Sequence, residues 1–193
     1  MPKFIKNRVE SIAERFDKTC YEKVDSLNKS CFDKDLIKNA KIVIVGTLTP
    51  SNGMGFGYYY TSERNRVYKL IDYCFETEEN GLAKLKQELK ANPQDKTTLD
   101  KIKKYLSNHK LVFIDVIDQA VRKKGSSLDD DIIKYTLDKK SFEYCNNDQK
   151  FVCTSKNAMF CLEQIQNFEN VVVCPQDRFR CKKEEWKKEI SFK

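Results

Sequence analysis

The sequence predicts an α/β fold: a three-layer α/β/α sandwich around a four-stranded, mainly parallel sheet. Three observations point there. Short β-branched runs alternate with stretches of helical periodicity, the pattern of parallel strands joined by helical crossovers. The runs Ile42–Val45, Leu111–Ile114 and Val171–Cys174 are apolar without alternation, as strands buried on both faces are. A chain of 193 residues with 40% hydrophobic and 11% aromatic content can bury one sizeable core without disulfide or metal staples.

Each element follows in order. The first forty residues are charged and helical in rhythm, with Phe4, Ile5, Val9, Ile12, Ala13 and Phe16 at helical spacing, and Asp25–Ser30 reads as a loop. Lys41–Thr47 is a first strand that runs out at Gly46. A polar, glycine-rich loop extends from Leu48 to about Tyr60. A helix from about Arg64 to Phe75 then carries Val67, Leu70, Ile71 and Cys74 on one face. Residues 79–108 form a solvated helical crossover, with one stripe at Leu82, Leu85 and Leu89 and a second at Leu99, Ile102, Tyr105 and Leu106, divided by Pro93. Lys110–Ile117 is a second strand, and a helix is expected over Asp130–Leu137, capped by Ser127 or Asp129. Lys150–Thr154 is a third strand. Ser155 caps a helix bearing Ala158, Met159, Cys161, Leu162 and Ile165. Asn170–Cys174, a fourth strand, ends at Pro175, and a short helix lies around Trp186. No repeat divides the chain, so residues 1–193 are expected to form a single domain.

Composition narrows the function classes. With 36 Lys+Arg against 29 Asp+Glu the net charge is +7, a mild preference for anionic partners. No apolar run approaches the roughly 18 residues of a membrane span. The start of the chain lacks the pattern of a secretory signal, so a soluble, cytoplasmic protein without a membrane partner is expected. The eight cysteines include no C-x-x-C pair, and the single histidine, His109, is distant from all of them. Reduced thiols acting as small hydrophobes fit this pattern, and neither a metal nor a redox cofactor is expected.

Ligand sites of parallel sheets lie at the carboxyl ends of the strands. Here those ends are Gly46–Ser51, Ile117–Gln119, Thr154–Lys156 and Pro175–Arg178. The loop after the first strand is neither a phosphate-binding P-loop nor a dinucleotide fingerprint. It combines Gly53, Gly55 and Gly57 with three consecutive tyrosines and Arg64-Asn65-Arg66. Tyrosines offer stacking faces, Asn a paired donor and acceptor, and arginines bind phosphates. Equally, the tyrosines of such a loop can pack on the sheet edge. Asp115 shares a strand face with Phe113 and Ile117, where a buried carboxylate either acts as a base or, the favoured reading, accepts backbone N–H groups. Asp118, at the strand's end, is a second catalytic candidate. Asp129–Asp131 read as helix-start charges that would repel a phosphate backbone and so lie off the path of any such ligand. The basic residues Arg178, Arg180, Lys182, Lys183, Lys187 and Lys188 surround Trp186 and either hold phosphates or form a solvated mixed-charge face.

From Gly46-Thr47-Leu48-Thr49-Pro50-Ser51 through Tyr58-Tyr59-Tyr60 to Arg64-Asn65-Arg66-Val67-Tyr68, the chain resembles the uracil-DNA glycosylase superfamily, nearest its hypoxanthine and mismatch-specific branch. The likeness continues in Phe113–Ile117, Arg122, Gly125–Ile132, Thr154–Ala158 and Val171–Pro175, in order over residues 41–186. It implies hydrolysis of the N-glycosidic bond of a deaminated base, hypoxanthine or uracil, flipped from DNA in base excision repair, by a monomer needing no cofactor. Asn65 matches the branch's catalytic Asn, orienting water and stabilising a cation-like sugar. Leu48 stands where other branches hold a catalytic Asn or Asp. Gly46, Thr47, Thr49, Pro50, Ser51 and Asn157 would shape the base pocket, and one of Tyr58, Tyr59 and Tyr60 would stack on the base. Arg64, Arg66, Lys156, Pro175, Gln176, Arg178 and Arg180 would contact DNA, with Phe179 as the wedge. The last motif has become Cys174-Pro175-Gln176-Asp177-Arg178, which loses a phosphate-binding serine and adds an anion. A nucleotide- or nucleic-acid-binding relative without turnover, or a protein-interaction module, are the alternative readings.

Overall fold

The computed structural model describes residue 8 and residues 17–49, 56–63, 65–77, 79–93, 95–125, 129–176 and 182–190. Strand β2 (Ile42–Gly46) forms the centre of a four-stranded parallel sheet with β3 (Leu111–Asp115), β6 (Lys150–Cys153) and β7 (Val171–Val173), in the order β3-β2-β6-β7. The register sets Gly46 beside Asp115 and Val45 beside Ile114 and Cys153. Every residue of β2 is buried, so helices and loops cover both faces of this strand, as its unbroken apolar run predicts.

The helices are α1 (Asn28–Cys31), α2 (Lys34–Asn39), α3 (Val67–Phe75), α4 (Leu82–Ala91), α5 (Lys96–Asn108), α6 (Lys139–Phe142), α7 (Lys156–Ile165) and α8 (Lys183–Ile190). Helices α3, α4 and α5 make the crossover from β2 to β3, with Leu82, Leu85, Leu89, Ile102 and Leu106 buried. Asp72 of α3 is 1% exposed and accepts the Leu82 and Ala83 N–H groups, each at 2.7 Å, so one helix caps the start of the next. Gly81 makes that approach possible: a Cβ there would fall 2.1 Å from Asp72 Oδ1. Ser155 caps α7 through Ala158 N–H at 3.0 Å, as expected.

Three expectations are corrected. The second strand does not run from Lys110 to Ile117: β3 ends at Asp115, and β4 (Ile117–Lys123) enters a different sheet. The expected helix over Asp130–Leu137 is instead a 3₁₀ turn, Asp129–Asp131, followed by strand β5 (Ile132–Leu137). Its Ile132, Ile133, Tyr135 and Thr136 are strand formers, and pairing with β4 decides the outcome. Within the supposed helical and loop region before residue 30, Tyr21–Asp25 is strand β1, antiparallel to β4, which gives a second sheet of order β1-β4-β5. The apolar positions Phe4, Ile5, Val9, Ile12, Ala13 and Phe16 lie outside the described residues. No helix among the described residues is long and apolar enough to cross a membrane.

Candidate functional site at the carboxyl edge of the parallel sheet

All four parallel strands end on one edge. Backbone hydrogen bonds extend the ladder past the strands: Val116 N–H to Gly46 O and Thr154 N–H to Val45 O, both 2.9 Å, and Cys174 N–H to Cys153 O at 2.9 Å. This fixes where the segments beyond each strand start.

Two polar groupings form there. In the first, Asp129 Oδ2 accepts the Thr47 hydroxyl at 2.8 Å and the Asn157 amide at 3.2 Å, and Ser155 Oγ lies 3.2 Å from Thr47 Oγ1. Burial raises the Asp129 carboxyl above its ordinary range, partly opposed by those two donors. The structure thus joins Thr47 and Asn157 through Asp129. That residue was expected to lie off the path as a helix-start charge. Because residues 132–137 form a strand, the 3₁₀ turn carrying Asp129 faces the sheet edge.

In the second grouping, the fully buried Asp115 accepts Thr49 N–H on Oδ2. The favoured reading of Asp115 as an acceptor of loop N–H groups is met on this oxygen. Its other oxygen, Oδ1, has no hydrogen-bond partner among the described residues. Burial pushes this carboxyl up to about 7, with Thr49 opposing and Asp129 and Asp138 adding to the rise.

The three tyrosines are buried, at 2%, 3% and 4% exposure for Tyr58, Tyr59 and Tyr60. Their rings meet Phe113 edge-on at centroid distances of 6.4, 6.3 and 5.1 Å, while Tyr68 stacks on it at 5.7 Å. Of the two readings of this loop, packing against the sheet is the one observed, and no open stacking face is left to a base. Phe113, in the middle of the edge strand β3, supplies an apolar ring against which the tyrosines lose their contact with water. Tyr59 also donates its hydroxyl to Asn28 Oδ1 at 2.6 Å.

Asn65 lies two residues before α3, and its Oδ1 accepts Val67 N–H at 2.9 Å. Next to it, Arg66 N–H reaches Gln176 Oε1 at 3.4 Å, so the Asn65–Arg66 segment meets the end of β7. Pro175 accepts the Trp186 indole N–H at 3.1 Å, and Lys156 is exposed at the start of α7. Pro50, Ser51, Arg64, Arg178, Phe179 and Arg180 lie outside the described residues. Asp118 is not gathered with Asn65. It belongs to β4 and borders a cavity of about 590 Å³ with Asn28, Phe32, Asp138 and Lys139, whose lining does not include Asn65.

Two further residues were not singled out by the sequence. Lys86 of α4 is 7% exposed, and its ammonium donates to Asn65 O at 2.8 Å and Glu63 O at 3.3 Å, holding the turn that presents Asn65. Burial, aided by Lys69, lowers its pKa to about 8. Asn28 spends all its amide capacity: it donates to Asp115 O and Asp138 Oδ2 and accepts Tyr59 O–H and Asp115 N–H. An Asx-rich loop composition was the available hint for Asn28, and none existed for Lys86. Among the described residues no group of three or more His, Cys, Asp or Glu side chains is arranged to hold a metal.

Comparison of the chain with protein-family models, with curated proteins and with solved structures finds no match.

Proposed function

We propose that the chain is a monomeric, uracil-DNA glycosylase-like α/β/α protein that binds a flipped, deaminated base at the carboxyl edge of its parallel sheet and hydrolyses the N-glycosidic bond. The observation that carries this reading is the convergence of distant segments on one edge. Thr47 after β2, Asp115 at the end of β3, Asn157 at the start of α7 and Gln176 after β7 all stand there, with Asn65 and Arg66 tied to the last. These are the segments through which the resemblance runs. Hydroxyl, amide and carboxyl groups so placed can bond a base's polar edge, while Asn65 polarises water or stabilises positive charge on the sugar. The net positive charge favours DNA as the partner, and no membrane enters the reading.

A single-turnover assay on oligonucleotides carrying uracil, hypoxanthine or xanthine tests the proposal, with Asn65→Ala beside wild type. Abasic product from wild type and a loss of about 10²-fold or more in Asn65→Ala are expected. Absence of abasic product from all three substrates would sink it. A second reading, nucleic-acid binding without turnover, is favoured by the burial of Tyr58–Tyr60 and the use of the Asn65 side chain at the start of α3. Binding that weakens steeply with salt, unaccompanied by cleavage, is its signature.

A further inference from the structure

The cavity of about 590 Å³ is lined by residues of α1, β4, β5 and α6 and lies apart from both carboxyl-edge groupings: Thr47, Asp115, Asp129 and Asn157 are not in its described lining. Its volume is that of a small-molecule site. The wall stands ready before any ligand arrives. Asn28 has all four of its side-chain hydrogen bonds made and backs onto Asp115 and Tyr59. Asp138 holds Asn28 Nδ2, the Ser141 N–H at 3.0 Å and the Ser141 hydroxyl at 2.6 Å. A wall so paired keeps its shape, and binding against it requires no rearrangement.

The lining is graded in charge. Arg8, Lys139 and Lys140 are exposed at its rim, and none of them forms an ion pair among the described residues. Arg8 is brought there by its backbone, which bridges Tyr135 of β5 in parallel. Glu143, also exposed, offsets one of these three cations. The other two carboxylates are more enclosed: Asp138 is 7% exposed and Asp118 is half-buried. An ionised carboxylate offers about four acceptor sites, so Asp138, with three donors, has room for another. Asp118 is engaged elsewhere as well, and its charge adds to the negative interior. Between rim and interior stand two half-buried apolar side chains, Phe32 and Leu137. Tyr144 meets Phe32 edge-on at 5.5 Å and fixes its ring.

A ligand that matches this order carries an anion at one end, a flat ring in the middle and hydrogen-bond donors at the other end. We propose that the cavity binds a free nucleoside monophosphate whose base bears an amino group. Its phosphate lies on Arg8, Lys139 and Lys140, where an arginine and two lysines suit a dianion. Its base lies against Phe32 and Leu137, a contact that every base can make. The amino group donates to the carboxylates of Asp138 and Asp118, which reject a base presenting a carbonyl there because two acceptors then face each other. Free uracil and hypoxanthine lack both the phosphate and the amino group and are not ligands of this cavity. No cleavage is involved, and a chain without glycosylase activity binds the nucleotide in the same way.

Titration of the full chain with dAMP, followed by amide chemical shifts and calorimetry, tests the proposal. The largest shifts are expected at Phe32 and residues 137–141. Deoxyadenosine, which lacks the phosphate, and dIMP, which has a carbonyl in place of the amino group, should each bind about 10-fold more weakly or worse. Arg8→Ala and Lys140→Ala change exposed side chains and should each weaken dAMP by about 10-fold. Asp118→Ala should narrow the preference for dAMP over dIMP, a change that a merely structural role would not produce. Absence of dAMP binding overturns the proposal, as do shifts that fall on Thr47 and Asn157 instead. Equal affinity for dAMP and dIMP overturns the role of the carboxylates, and dAMP binding unaltered in both Arg8→Ala and Lys140→Ala overturns the phosphate site. Binding of a 5′-phosphorylated single strand without binding of dAMP overturns the free nucleotide as the ligand.

Discussion

Asp115→Asn has a consequence for stability that needs no assumption about substrate. The Asp115 carboxyl is 0% exposed, and burial raises it from 3.8 to about 7. Between those values the folded state holds a proton that the unfolded chain has released, so wild-type stability falls as pH rises from about 4 to about 7 and is flat in this component above. Three units at about 1.4 kcal/mol each amount to roughly 4 kcal/mol over the whole window. From pH 5 to pH 8 the loss is roughly 3 kcal/mol. Asparagine does not titrate, and its carbonyl can still accept Thr49 N–H, so Asp115→Asn lacks this slope. Urea unfolding of both proteins at several pH values measures it. The wild-type and variant curves should diverge across the window, with the variant gaining on wild type by roughly 3 kcal/mol at the alkaline end. Parallel curves, with a difference independent of pH, would refute the reasoning, because Asp115 would then not be protonated in the folded state near neutrality.

Gly81→Ala drives a methyl to 2.1 Å from Asp72 Oδ1 and 2.6 Å from Thr77 O, so it should destabilise by about 2 kcal/mol or more, read as a lowered Tm. Lys86→Met leaves the carbonyls of Glu63 and Asn65 without their ammonium donor, costing about 1–3 kcal/mol and increasing amide exchange at residues 65–67. Unchanged exchange there would remove Lys86 from the positioning of Asn65. Asn28→Ala strips four hydrogen bonds from a buried junction, and a loss of roughly 3 kcal/mol or more in urea unfolding is expected. Among the seven described thiols, Cys20 is exposed and should react first with a thiol reagent in the native state. Burial raises Cys145 and Cys161 to about 12 and makes them slow.

Much of the parallel sheet was readable because β2, β3 and most of β6 are buried on both faces, and continuous apolar runs such as Ile42–Val45 announce that state. The antiparallel sheet was not. Strand β1 carries Glu22, Lys23 and Asp25 at a sheet edge, where half its side chains meet water and no apolar alternation survives. Strand β5 holds too few residues to separate helical from strand periodicity, and only its pairing with β4 settles the matter. At the candidate site, Gly46 and Thr47 followed from the rule that loops at carboxyl strand ends bind ligands, and Asn157 from the resemblance. Asp129 did not, since its approach to Thr47 depends on the strand that the local pattern hid. Tyr58–Tyr60 were legible as aromatic and illegible as buried, because Phe113, their common partner, is over fifty residues away. Lys86 acts on main-chain carbonyls, which side-chain patterns do not report.

Under the proposed function, a deaminated base binds at the carboxyl edge of the parallel sheet. Backbone amide chemical shifts recorded while uracil or hypoxanthine is titrated into the full chain test it most directly. The account predicts that the largest shifts fall on Thr47, Thr49, Asp115, Asn157 and Gln176. Shifts confined to the cavity bordered by Asp118, Asp138 and Lys139, or no shifts with either base, would contradict it.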